Sequence, residues 1–290
     1  MIGWMMILLS SCIRKYDMDF SDFNDVLTLN AELNPGDSVK ILLAYPKPPL
    51  THGDYKMPKD AVIRLYEDDV FLMDVTYNIV DPSAENGLYI APYFPKPGSK
   101  YAIELNYPGY PAITAEQVIP EQVKIGDIAF EEPWENRDSS KTLTSVWTIV
   151  DTGEKGYYAI RCWYRLRQLV RLADGRDSVT TSRPNAIRKV YVNNSFRDFN
   201  GATAFELDAN RPVTVDLNIL GKDILESDSI LAASLSFEVQ KLTLDAYLYR
   251  KTYKESGDNY GEPRTVHNNL KGGLGIFSAI TSDRKTVVVK

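Results

Sequence analysis

The acidic segment that begins at Glu131 carries side chains able to do acid–base or cation chemistry. Glu131, Glu132, Glu135 and Asp138 lie close together in sequence, with Trp134 among them. Two carboxylates about 5–10 Å apart can cleave a glycosidic bond, and several carboxylate oxygens together can bind Ca²⁺. Such a run is more often a solvated loop between domains. A surface hydrolase that uses this acidic cluster is therefore the weakest of the functional hypotheses.

The other candidate residues carry weaker signals. Asp22, Asn24 and Asp25 carry oxygen ligands at a spacing that suits Ca²⁺, but the glycine and the final glutamate of an EF-hand loop are missing. The two histidines, His52 and His267, are few for metal binding or acid–base catalysis. We predict no catalytic residue, no metal site and no cofactor, and we expect His267 to cap or pack rather than to catalyse.

Cys12 has the most specific chemistry in the sequence. Residues 1–11 contain no charged side chain, and Leu9, Ser10 and Ser11 stand directly before Cys12. An aliphatic residue and two small residues before a cysteine form the bacterial lipobox. There a diacylglycerol thioether forms on sulfur, and a peptidase cuts just before the cysteine. We predict a lipoprotein signal peptide over residues 1–11 and lipidation of Cys12, which anchors the chain in a membrane.

The flanks of Cys12 bear on where the protein resides. Residues 1–11 are too short to span a bilayer, which takes about 20 apolar residues. No Lys or Arg precedes Arg14, although a signal peptide begins with a positively charged region, so a start further upstream stays open. Residues 13–19 loosely resemble the signals that send lipoproteins of Bacteroidota to the cell surface. We expect an outer-membrane, lipid-anchored protein that is exposed on that surface.

Composition disfavours several functional classes. The chain has 290 residues and a net charge of −6, which makes general nucleic-acid binding a poor hypothesis. Its two cysteines cannot build a disulfide framework, and once Cys12 is lipidated only Cys162 is a free thiol. Cys162 lies in an alternating aromatic run, so we expect it buried in a strand. The sequence has neither a glycine-rich phosphate-binding motif nor a G-x-S-x-G nucleophile elbow.

The segments that must position these residues have the pattern of short β-strands. Apolar and polar residues alternate in four runs, at 62–66, 101–105, 213–219 and 235–239. Alternation puts the apolar side chains on one face of a strand, and Pro and Gly clusters between the runs indicate turns. The pattern predicts a mainly β protein made of antiparallel sandwiches rather than β–α–β units.

One segment has helical spacing instead. The repeating positions are Leu244, Tyr247, Leu248 and Lys251. Thr243 is the expected N-cap, and Gly257 lies where the helix should stop. We predict one helix here that covers one end or one face of a sheet.

The predicted strands divide into two domains. Residues 20–122 resemble a seven-stranded transthyretin- or Ig-like β-sandwich, in the segment Gly87-Leu88-Tyr89 and in the run 98–105. Ile119-Pro120 indicates the boundary. Residues 123–290 are predicted to form a larger antiparallel β-sandwich domain that contains the helix.

The segment 266–279 is the least ordinary part of the chain. Gly272, Gly273 and Gly275 predict positive φ or close backbone approach before a strand at Ile276-Phe277. We expect a tight turn packed under a sandwich, in which Asn268 or Asn269 bonds the backbone. A phosphate-binding loop is disfavoured, because no helix and no Lys-Ser/Thr pair follow the glycines.

This ending resembles that of the outer-membrane lipoproteins of Bacteroidota that contain domain of unknown function 4249. The segments 196–201 and 245–249 resemble two further parts of the same family, so the likeness runs over nearly the whole chain. The resemblance implies association with a TonB-dependent β-barrel transporter and no established enzymatic activity. It transfers no site residues.

These observations lead to three functional hypotheses. The first is a non-enzymatic accessory binding protein of a TonB-dependent nutrient uptake system. The alternative is a pilus- or matrix-type structural or adhesion subunit, because sandwiches with spare sheet edges can polymerise by strand addition. The surface hydrolase that uses the acidic cluster is the second alternative.

Overall fold

A computed structural model describes residues 26–45, 56–81, 86–131, 143–153, 155–182, 186–218, 228–257 and 265–289. Within these ranges the chain forms seventeen strands and one helix. In chain order the strands are β1 (Thr28–Leu33), β2 (Val39–Ala44), β3 (Val62–Glu67), β4 (Val70–Asp81), β5 (Asn86–Ala91), β6 (Lys100–Asn106), β7 (Ile113–Val118), β8 (Lys124–Phe130), β9 (Leu143–Val150), β10 (Lys155–Arg171), β11 (Asp177–Ser182), β12 (Ile187–Val190), β13 (Phe196–Arg197), β14 (Thr203–Asp208), β15 (Pro212–Leu217), β16 (Ile230–Leu242) and β17 (Leu274–Val288). The helix, α1, is Leu244–Gly257.

The first sandwich is built from β1 to β7 together with the start of β17. One layer has the strand order β17-β1-β2-β5-β4, and the other has the order β4-β3-β6-β7. The twelve-residue strand β4 belongs to both layers, because Val70–Val75 pairs with β3 and Thr76–Asp81 pairs with β5. Apolar side chains from both layers, such as Ile41, Ile63 and Phe277, form one buried core.

The second sandwich faces a five-strand layer against a four-strand layer. The first has the order β13-β14-β10-β16-β17, with β11 beside the far end of β10, and the second has the order β12-β15-β9-β8. Trp147, Phe205 and Phe237 are fully buried between the layers. Cys162 lies in this core as a free thiol, as expected, and burial raises its pKa.

Strand β17 joins the two sandwiches. Its residues Leu274–Ala279 pair in parallel with β1, and its residues Ile280–Val288 pair antiparallel with β16. Leu270, Phe277 and Ala279, from the C-terminal part of the chain, pack in the core of the first sandwich. The boundary between residues 122 and 123 stays a prediction.

The predicted fold class is confirmed, since the chain is mainly β and the alternating runs bury one face. The fully or almost fully buried residues of those runs are Ile63, Leu65, Tyr101, Ile103, Leu105, Val213, Val215, Leu217, Leu235, Phe237 and Val239. Removing that apolar surface from water provides the main driving force for both sandwiches.

The predicted helix is also confirmed. The Oγ1 of Thr243 accepts a hydrogen bond from the backbone N–H of Ala246 at 3.3 Å, as an N-cap does. The buried stripe of α1 consists of Ala246, Tyr247 and Arg250, whereas Leu244 is half exposed. The ring of Tyr247 stacks on that of Tyr157 at 4.7 Å, so α1 is fixed against β10.

Candidate functional site

An open groove of about 400 Å³ lies where α1 meets the first sandwich. Strands β1, β2, β5 and β17 form its base, and α1 and the loop before β14 form its side. Its polar side chains are Asn30, Glu32, Lys40, Asn200, Arg250 and Ser278. Its apolar and aromatic side chains are Leu42, Leu88, Ile276, Phe199 and Tyr249. A concave site with an apolar base and a few fixed polar groups is the usual form of a small-ligand site.

Arg250 is the central residue of the groove. Its guanidinium donates from Nη1 to Asp198 Oδ2 and to Gln240 Oε1, both at 3.0 Å. The Nη2 atom donates to Glu32 Oε2 at 2.8 Å. Arg250 is 1% exposed, so these bonds hold the cation in one position.

Asp198 is held as firmly as its partner. Its second carboxylate oxygen accepts hydrogen bonds from the backbone N–H groups of Asn200 and Ala202, each at 2.9 Å. Gly201, with φ of 75°, completes this tight loop. The loop therefore presents Phe199 and Asn200 to the groove on a fixed backbone.

Both cations that line the groove, Arg250 and Lys40, are paired with carboxylates. Burial alone would lower the pKa of Arg250, but the carboxylates of Glu32 and Asp198 outweigh burial and raise it. Lys40 is paired with Asp37 at 2.5 Å. Arg250 therefore stays charged and acts as a permanent hydrogen-bond donor within an otherwise acidic cluster.

Two buried polar atoms at this site have no hydrogen-bond partner among the residues that the structure describes. They are Oδ1 of Asn30 and Nε of Arg250, and both residues line the groove. Leaving a buried donor or acceptor unpaired costs about 1–3 kcal/mol. Each atom has less than 1 Å² of accessible surface, so the two are packed within the protein beside the groove.

Exposed aromatic rings border the groove on the helix side. Phe199 is 49% exposed and Tyr253 is 47% exposed, and their rings meet at 5.0 Å in a T-shaped contact. Tyr249 lies 6.2 Å from Phe199 and also lines the groove. This aromatic border adds apolar contact area next to the polar cluster.

Two segments that stood out in the sequence form part of the groove, whereas its main residues were not predicted. Residues 196–201 and 245–249, noted for their family likeness, meet at this site. Arg250 and Glu32 were not singled out. The only signal for Arg250 is its position four residues after Ala246, which places it on the buried stripe of α1.

The glycine-rich ending has the predicted structure. Asn269 donates from its side-chain amide to the Phe277 carbonyl at 2.8 Å and accepts from the Phe277 N–H at 2.9 Å. Gly272 and Gly275 have φ of 79° and 122°. A Cβ on Gly275 would lie 2.0 Å from the Leu29 carbonyl oxygen, so close approach of β17 to β1 requires this glycine.

His267 joins a hydrogen-bonded cluster rather than the groove. Its Nε2 lies 2.7 Å from Asp245 Oδ1, and its backbone N–H donates to Thr252 Oγ1 at 2.8 Å. Gln117 donates to the other oxygen of Asp245 at 2.9 Å. Burial would raise the pKa of Asp245, but the bonds from His267 and Gln117 lower it. The contacts agree with a packing and capping role.

Several predicted residues lie outside the described ranges. They are residues 1–11, Cys12, Asp22, Asn24, Asp25, His52, Glu132, Trp134, Glu135 and Asp138. Glu131 is described, and its backbone N–H donates to the Thr144 carbonyl at 3.1 Å. No helix in the described part of the chain is both long and apolar enough to cross a membrane.

Comparison with known proteins identifies one family. The sequence matches the family described as "Domain of unknown function (DUF4249)" over residues 13–286. No curated protein matches the chain.

Solved structures add weak similarities only. The C-terminal globular domain of an oligosaccharyltransferase from Pyrococcus abyssi is 12% identical with a TM-score of 0.21. The alignment covers 91% of this chain and 48% of that one, so the chain spans about half of its length. The yeast delta-COP-I mu-homology domain, solved with a Dsl1 WxWxV peptide, is 11% identical with a TM-score of 0.19, over 90% of this chain and 96% of that one. Neither similarity bears on function.

Proposed function

The chain belongs to the DUF4249 family, and from this premise we propose that it is a lipid-anchored binding protein at the outer surface of a member of the Bacteroidota. In this proposal the chain is an accessory component of a TonB-dependent uptake system. It captures a small polar nutrient and delivers it to the transporter.

The groove around Arg250 is the observation that supports this function most. The Arg250 guanidinium is held by Asp198, Glu32 and Gln240, so this side chain loses little conformational freedom when a ligand binds. A volume of about 400 Å³ lies within the range of small-molecule sites.

The chemistry of the groove favours binding over catalysis. The Arg250 guanidinium is a donor that does not release a proton at physiological pH. Asp198 is fully buried and already accepts three hydrogen bonds, one from Arg250 and two from backbone N–H groups, which leaves it poorly placed as a base. These groups orient a ligand and do not transform it.

The lipid anchor of the proposal rests on the lipobox at residues 9–12. Acylation at Cys12 keeps the folded domains at the membrane, and residues 13–25 connect the anchor to the first sandwich. Lipidation and groove are independent parts of the proposal, and each has its own test.

The decisive experiment combines purification with uptake. A C-terminally tagged chain, purified from detergent-solubilised outer membranes of its native host, should bring a TonB-dependent transporter with it. The Cys12→Ala variant should leave the membrane fraction. A Leu42→Trp variant should fill the groove and impair uptake while the complex still forms.

The matched control is Val62→Trp, which adds the same ring on β3 at a half-exposed position outside the groove. It should leave uptake unchanged. Recovery of the tagged wild-type chain without any transporter would refute the accessory role. Equal uptake by the Leu42→Trp and Val62→Trp variants would refute the groove as the binding site.

A further inference from the structure

The second sandwich carries an arginine-rich outer face on the hairpin of β10 and β11. We call this hairpin the arm, and the turn at residues 172–176 is its tip. Alternate residues of β10 point away from the core that holds Cys162 and Tyr164. These outward residues, from the base of the arm to its tip, are Arg161, Trp163, Arg165, Arg167, Leu169 and Arg171. We call them, with their neighbours in register, the arginine face.

Three arginines of this face are exposed and without ion pairs in the described part of the chain. Arg165, Arg167 and Arg171 are exposed, and none of them lies within salt-bridge distance of a described carboxylate. Arg165 stands opposite Ser234, and Arg167 stands opposite Ala232, so the adjacent strand β16 offers them no opposite charge.

The carboxylates near this face lie at its two ends. Glu238 is opposite Arg161 and pairs with Arg284 at 3.1 Å. Asp177 is opposite Arg171, close to the tip of the arm. Between these ends, each charged residue among the outward positions of β10 is an arginine, in a protein whose net charge is −6.

Aliphatic side chains stand among the arginines on the same face. Leu169 and Val179 are directly opposite each other on β10 and β11 and are 41% and 49% exposed. Val288 is 76% exposed and faces Ser234, next to Arg165. The face is therefore both basic and apolar.

We propose that the arginine face docks on an anionic phospholipid surface. Neighbouring outward residues of a strand are about 6.7 Å apart, so Arg165 and Arg167 can each reach a separate headgroup. A guanidinium binds phosphate through two parallel hydrogen bonds. Leu169 and Val179 lie between the cations and enter the boundary of the acyl region.

A lipid surface fits this face better than an acidic protein does. Protein interfaces are centred on desolvated aromatic anchors, with charge depleted at the core. Trp163, the one aromatic residue among the six named for the arginine face, is 4% exposed and covered by the Arg284 guanidinium, which lies 4.8 Å from its ring centre. The exposed groups are cations and short aliphatic chains, the composition of a surface that adsorbs to anionic membranes.

This docking would give the protein a second membrane contact besides the Cys12 anchor. It does not depend on lipidation, on the groove or on a transporter. A basic patch and a lipid anchor together hold a protein at a membrane more firmly than either one alone. Docking through β10 and β11 would also fix how the protein is oriented on the membrane.

The test measures vesicle binding by the full chain with Cys12→Ser, which removes lipidation from every sample. Phosphatidylcholine vesicles are compared with vesicles that also contain phosphatidylglycerol. We expect binding only to the anionic vesicles, weakened by salt. The Arg165→Ser, Arg167→Ser double variant should bind them more weakly, by about fivefold for each arginine removed.

Two matched variants separate local contact from net charge. Arg64→Ser with Arg211→Ser removes the same charge from exposed positions elsewhere and should bind as the parent does. Arg165→Lys with Arg167→Lys keeps the charge and should retain most of the binding. Leu169→Ser with Val179→Ser should weaken binding without changing its salt dependence.

Three results would overturn the proposal. The first is equal affinity for neutral and anionic vesicles, and the second is equal loss of binding in the arginine pair and in its charge control. The third is binding to immobilised polyglutamate without binding to anionic vesicles, which would assign the face to an acidic protein. Thermal unfolding of each variant confirms that the comparison is made on folded protein.

Discussion

Arg250 donates a hydrogen bond from Nη1 to Oδ2 of Asp198 at 3.0 Å, and the two side chains are only 2% and 0% exposed. This buried ion pair joins α1 to the loop between β13 and β14. Because Arg250 also reaches Glu32 on β1, one cation connects parts of both sandwiches. The groove therefore exists only when the two sandwiches are assembled against each other.

Removal of Asp198 should destabilise the protein strongly. The Asp198→Ala variant removes one of the two carboxylates that pair with the buried charge of Arg250, and it leaves two backbone N–H groups without their acceptor. We therefore expect the free energy of unfolding to fall by about 3–5 kcal/mol. Urea unfolding followed by tryptophan fluorescence measures it. Asp37→Ala, which breaks the exposed pair with Lys40, is the control and should cost less than about 1 kcal/mol. Similar losses in both variants would contradict the structural role of Asp198.

Gly275 should tolerate no side chain. Alanine there combines positive φ, which costs about 1–2 kcal/mol, with overpacking against the Leu29 carbonyl, which costs about 1–3 kcal/mol more. Gly109→Ala is the matched control, because Gly109 also has positive φ but a Cβ there meets nothing within 4 Å. The unfolding free energy of Gly275→Ala should fall below that of the control. Equal values would mean that β17 does not approach β1 closely.

Asp151 should contribute stability that is lost in acid. Burial would raise its pKa, but hydrogen bonds from Lys241 at 2.6 Å and Tyr158 at 2.7 Å lower it. A carboxyl with a lowered pKa in the folded state stabilises the fold above its unfolded pKa of about 3.9 and loses that contribution as pH falls through the folded value.

The measurement is the unfolding free energy of the parent and of Asp151→Asn between pH 7 and acid. The parent should lose stability more steeply than the variant once the pH falls below the ordinary aspartate range. Asp127→Asn alters a fully exposed carboxylate and serves as the control. Parallel curves for the parent and Asp151→Asn would show that the Lys241 pair contributes nothing to acid stability.

Cys162 should be inert until the protein unfolds. Its side chain is 1% exposed, and burial raises the pKa of the thiol, so little reactive thiolate is available. In a Cys12→Ser background it is the single thiol, and Ellman's reagent should modify it only in denaturant. A Thr76→Cys variant, exposed on β4, should add one thiol that reacts at once. Prompt reaction of Cys162 itself would show that the second core opens readily.

Local patterns in the sequence were enough to predict the strands β3, β6, β15 and β16 and the helix. Period-2 alternation depends only on which side chains of a strand face the core, so Val213 and Val215 are buried as predicted. The cap at Thr243 is a contact with the first turn of α1, which is equally local. The turn held by Asn269 followed from residue types within ten positions.

The buried face of α1 could not be predicted from local spacing. The spacing of Leu244, Tyr247, Leu248 and Lys251 correctly predicted a helix, but its buried stripe runs through Ala246, Tyr247 and Arg250. An arginine is rarely buried unless it is paired, and its partners are Glu32 on β1 and Asp198 in the loop between β13 and β14. No spacing rule can find partners that far apart in sequence.

The sequence by itself determined the mainly β class, the helix and its cap, the burial of Cys162 and the family resemblance. Only the tertiary structure decided that β17 pairs in parallel with β1, and that Glu32, Asp198 and Arg250 meet around one groove. The physical reason is that side-chain periodicity records the burial of each strand, whereas strand order and ion pairing depend on contacts between segments that only the folded chain brings together.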